Sequence, residues 1–86
     1  MQFHGRTYEL VRASDLQRDG MAIEAYVVGA SGERKMVLEA FWRDSDGQFT
    51  FTSFEKDLPF ELVEEFVRRA REDLPPLARG PGQTLS

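Results

Sequence analysis

The chain has 86 residues, 41% of them hydrophobic and 30% charged, with seven Phe, two Tyr and one Trp. A chain this short is one small domain that buries only about 60% of its unfolded surface, which leaves no room for a large ligand cavity. It has no cysteine, a formal charge of -4 and a sequence pI of about 4.9. Disulfides, zinc–thiolate sites and thiol nucleophiles are therefore excluded, and the basic stripe of a nucleic-acid binder is missing.

The N-terminal MQFHGRTYEL carries no apolar run of the kind a secretory signal needs. No stretch approaches the ~20 apolar residues that span a bilayer. The expectation is a cytoplasmic protein. His4, the single histidine, sits near the chain end without the orienting carboxylate or companion ligands that catalysis or a metal requires.

Period-two patterning predicts four strands. In TYELVRA, Tyr8 and Leu10 alternate with Thr7, Glu9 and Val11. In MAIEAYVV, Met21, Ile23, Ala25 and Val27 share one face, and Tyr26 and Val28 the other. KMVLEAFW sets Met36, Leu38, Ala40 and Trp42 against Val37, Glu39 and Phe41. QFTFTSF alternates Phe49 and Phe51 with Gln48, Thr50 and Thr52. Asp19-Gly20, Gly29–Gly32 and Asp44–Gly47 punctuate these runs as turns.

A helix follows. Pro59, Phe60, Val63, Phe66, Val67, Ala70 and Leu74 fall on one arc at helical spacing, with Leu62 at its edge. Pro59 suits the first turn, Asp57 reads as its cap, and Pro75-Pro76 ends the helix. The predicted fold is α+β, a four-stranded antiparallel meander followed by one C-terminal helix packed on one sheet face (ββββα). Residues 1–74 form a single domain, and 75–86 are a Pro/Gly-rich tail expected to be disordered.

Four motifs carry possible chemistry. Aligning Gly47 with the invariant glycine of a calcium loop puts Asp44 and Asp46 at ligand positions three and five. Position one is then Trp42 and position twelve Ser53, so two anionic ligands are lacking for a cation that takes about six to eight oxygens. The turn reading is preferred. GASG, Gly29–Gly32, lacks the Lys and Ser/Thr of a phosphate loop. Glu64, Glu65, Glu72 and Asp73 offset the Arg68, Arg69 and Arg71 cluster. LPPLAR, Leu74–Arg79, resembles a short polyproline ligand, but such matches are common by chance, and a helix stop plus tail explains it without a partner. No catalytic, cofactor-binding or metal residues are assigned, and an enzyme is not expected.

The aromatic content points instead to a surface. One helix covers one sheet face, and the other would show Tyr26, Val28, Val37 and Phe41. That face is too apolar for a wet side and calls for a cover, most simply a second copy of the chain. The expected function is a small acidic non-enzymatic interaction module that self-associates and binds a protein partner not identifiable from sequence. The alternative is a single-stranded nucleic-acid binder stacking bases on Tyr26 and Phe41. The ββββα order resembles, in topology, small binders of the transcriptional-coactivator type. The charge balance disfavours nucleic acid.

Overall fold

The computed structural model describes residues 1–74; the tail and polyproline expectations fall on residues outside that range, from Pro75 onward. The sheet has five strands rather than four: β1 Gln2–Phe3, β2 Arg6–Asp15, β3 Gly20–Val28, β4 Arg34–Arg43 and β5 Phe49–Ser53. Helix α1 spans Phe60–Asp73. Every neighbouring pair is antiparallel and the order is β1-β2-β3-β4-β5, a meander in chain order. Among the described residues, no helix is long and apolar enough to cross a membrane.

The extra strand comes from a tight turn. His4 and Gly5 both have positive φ, 52° and 76°. Two such residues in succession make the kind of turn whose twist matches a hairpin, and histidine enters the left-handed region more readily than most residues. Gln2 and Phe3 then pair with Thr7 and Arg6, the terminal ammonium donates to the Tyr8 carbonyl at 3.1 Å, and the Tyr8 N–H donates to the Met1 carbonyl at 2.8 Å. The N-terminus is part of the sheet, and His4 is held at 3.5 Å from Glu61 of the helix.

One face of the sheet carries the core. Tyr8, Ile23, Ala25, Leu38 and Ala40 are buried beneath Leu62, Phe66, Ala70 and Leu74 of α1. At about 25 cal/mol per Å² of apolar surface removed from water, such burial is the main stabilising contribution in so small a chain. The helix is rotated from the arc read in the sequence. Leu62 is fully buried, whereas Phe60 and Val67 stay exposed. Asp57 is not the cap: it adopts a left-handed turn conformation, and Pro59 stands at the N-cap without a side-chain hydrogen bond. At the other end Leu74 is extended, φ -129° and ψ 141°, as a residue before proline prefers.

A β-bulge in the β3–β4 ladder changes the expected faces. Ala25 pairs with Leu38, but Tyr26 pairs with Met36, so Val37 is the extra residue on β4. The strand shifts phase there. Val37 joins the core and is fully buried, while Met36 moves to the Tyr26 side. Placing Val37 on the outer face, and Met36 on the helix face, is thereby corrected.

Candidate functional site: the outer sheet face and the β5 edge

The outer face, opposite the helix, is covered by its own side chains. Tyr26 lies between Glu9 and Met36 in the paired strands, with Val28 one row on between Thr7 and Arg34. The Arg34 guanidinium stacks 4.6 Å from the Tyr26 ring centre and pairs with Glu9 at 3.0 Å. The Tyr26 hydroxyl donates to Glu24 at 2.8 Å, and that bond raises the phenol pKa.

Phe41 is only 7% exposed. Arg18, from the β2–β3 turn, places its guanidinium 4.1 Å from the ring centre. The same guanidinium donates to Glu39 at 3.1 and 2.6 Å and to Asp15 at 2.6 Å, and these bonds, the Glu39 ones foremost, raise its pKa above the ordinary arginine value. A cation held on a ring by two carboxylates is a satisfied surface. The four residues expected to form one apolar patch therefore divide. Val37 is in the core, Phe41 is under Arg18, Tyr26 is stacked by Arg34, and Val28 is half-buried. The two expected base-stacking platforms, Tyr26 and Phe41, already carry arginines.

The turn Asp44–Gly47 joins β4 to β5 as a hairpin connection. Arg43 donates to both Asp46 carboxylate oxygens at 3.0 Å and to Gln48 at 2.6 Å. Asp46 also accepts the Gln48 N–H at 3.1 Å, and Gly47 takes the positive φ of 72° that the turn requires. These bonds hold the Asp46 carboxyl below the usual range, the Arg43 bond foremost. A cation here would have to displace an arginine. Millimolar calcium is expected to leave the melting temperature unchanged within error; a clear rise in a calorimetric scan would assign the loop a metal site.

Exposed apolar surface gathers elsewhere, at the end of the sheet where β5 meets α1. All five residues of β5 are exposed, and Phe51 is 51% and Val67 41% accessible. Ala40, Phe49, Phe51, Phe66, Val67 and Ala70 line a cleft of about 190 Å³ between the strand and the helix, with Arg71 also lining it. Each β5 aromatic is anchored on one side only. Phe49 meets Trp42 edge-on at 5.7 Å between ring centres, and Phe51 meets Phe66 at 6.0 Å. The rotation of the helix makes this cleft, because it turns Leu62 inward and leaves Val67 on the side of β5.

Among the described residues, none pairs with the outer edge of β5. The Arg43 N–H donates to Gln48 at 3.0 Å, and the Phe54 N–H donates to Val37 at 2.9 Å. These bonds bracket the strand and set its parity. With the β4 register, they place Thr50 and Thr52 as the residues that bond to β4. The N–H and C=O groups of Phe49, Phe51 and Ser53 consequently point away from the sheet. Sheets usually protect such an edge with charge, proline, a bulge or brevity. The β1 edge is two residues long, but FTFTS has neither charge nor proline nor a bulge.

Comparison with known proteins finds no matching family model, no matching curated protein and no matching solved structure.

Proposed function

We propose that this chain is a non-enzymatic, cytoplasmic protein-interaction module that accepts an extended polypeptide segment as an added strand on β5. The observation that carries this reading is the unprotected β5 edge, with three residues offering backbone donors and acceptors outward beside an apolar cleft. Main-chain bonds would supply affinity, and the cleft walls of Phe49, Phe51 and Val67 would select alternate apolar side chains. The Tyr26–Phe41 face is the weaker candidate, since arginines already occupy its rings.

A synthetic peptide copying Gln48–Phe54 is a suitable probe, because it is extended, alternating and uncharged. Residue-resolved amide exchange on dilute protein should show Thr50, Thr52 and Phe54 protected in the free chain and Phe49, Phe51 and Ser53 exchanging fast. Added peptide should slow those three amides selectively. Protection confined to the Tyr26–Phe41 face, or no binding at millimolar peptide, would reject strand addition at β5.

A further inference from the structure

The partner that fits this edge is a second copy of the same chain. This rests on the reading of β5 as a strand-accepting edge. We infer that two copies pair β5 against β5 antiparallel, about a two-fold axis that passes beside Phe51. A two-fold centred on Phe51 sets it opposite the partner's Phe51, Phe49 opposite the partner's Ser53, and Ser53 opposite the partner's Phe49. Phe49, Phe51 and Ser53 are the residues whose amides and carbonyls face outward. Each opposing pair exchanges two bonds, about six across the junction, so every outward group on both strands is used.

The side chains are self-complementary in that register. Thr50 faces the partner's Thr52 on the outer side, a pairing that β-sheets favour, and the two Phe51 rings meet on the helix side. No charged residue lies in β5, so the net charge of -4 on each chain brings no like charges together along the strand. An axis perpendicular to the sheet puts both helices on the same face. The two clefts then open toward each other, and Phe49, Phe51 and Val67 of each chain line a single groove between the helices. The opposite edge cannot do this, since β1 offers only Gln2 and Phe3.

The position of the axis makes a charge-swap test specific. Phe51→Lys places like charges opposite one another in a self-pair, and so does Phe51→Glu. A mixture of the two places lysine opposite glutamate. Light scattering coupled to gel filtration should give wild type at twice the chain mass of 9.9 kDa. Each variant alone should run at the single-chain mass with unchanged circular dichroism, which shows that it is folded, and the equimolar mixture should return to the double mass. A wild-type chain that stays monomeric up to millimolar concentration would overturn the second copy as occupant. Peptide protection of Phe49, Phe51 and Ser53 would then still uphold strand addition, with a different protein as partner. A dimeric wild type whose two variants stay dimeric alone, or whose mixture stays monomeric, would overturn the Phe51-centred register.

Discussion

Phe66→Ala is expected to cost about 3–5 kcal/mol, the range for removing a fully buried phenylalanine from a packed core. Phe66 has no accessible surface and joins the cluster containing Tyr8, Ile23, Leu38 and Leu62. Its ring also supports Phe51 across the cleft. A domain of this size has roughly 5–15 kcal/mol of total stability, so the loss is a large share of it. Urea denaturation followed by circular dichroism should show a fall in midpoint with little change in slope. Arg68→Ala is the control. Arg68 lies on the exposed side of α1, paired with Glu65 and with Glu72 at 2.7 Å, and solvent screens both contacts. Its removal should move the midpoint little. Equal shifts from the two substitutions would mean that α1 docks through another face.

The strands from β2 to β5 were legible because alternation is strong there and the turns are marked by Asp-Gly and Gly-rich pairs. Three features were not. A two-residue strand has no period, so β1 could be signalled only by His4-Gly5, which reads as chain end unless both residues are assigned positive φ. The bulge falls in Met36-Val37-Leu38, three apolar residues in succession, and either of the first two can take the core position without breaking the pattern. Which one does depends on the ladder with β3, a contact distant in sequence. The helix arc held seven apolar residues with Leu62 at its margin, wider than the face the sheet covers. Periodicity identifies such an arc but cannot choose which part of it faces the core.

These same features decided the candidate site. Sequence reasoning expected an uncovered apolar face from Tyr26, Val28, Val37 and Phe41. It could not see that Arg18 and Arg34, each from a different segment, would fold over two of those rings. Arg18 lies in the turn after β2, and only closure of the β2–β3 hairpin brings it to Glu39 and Phe41 of β4. Conversely, Phe49 and Phe51 share one face by the alternation read in QFTFTSF, and in the structure that face is the helix side. What alternation omits is that β5 is the last strand and that α1 leaves it partly bare. The available signal was compositional: of the four strands read in the sequence, β5 alone has no charged residue, and it lies at an end of the meander.

Gly20→Ala is expected to destabilise the fold by about 1–3 kcal/mol, the cost of overpacking a filled site. Gly20 opens β3 and pairs with Asp15 on one side and Arg43 on the other. Its φ is not positive, so an alanine would meet no intrinsic backbone strain there. Elsewhere such a change often stabilises, by about 0.4–1 kcal/mol, because alanine restricts the unfolded chain. Here an added Cβ would overlap the Trp42 carbonyl oxygen and stand 2.7 Å from the edge of the Phe41 ring. The ring alone could turn aside, but doing so would lift it from beneath Arg18. The carbonyl is backbone in a paired strand and can yield only if the β3–β4 ladder opens at its end. Both routes disturb the cover of the outer face, so the variant should lose thermal stability and show faster exchange of the Asp44 amide, which donates to the Asp19 carbonyl at 2.8 Å at that end of the ladder. The double variant Gly20→Ala, Phe41→Ala should recover none of the loss, because it leaves the carbonyl contact in place and removes a buried ring. A gain in melting temperature for Gly20→Ala would show that this end of the ladder is looser than the close approach of Gly20 to β4 requires.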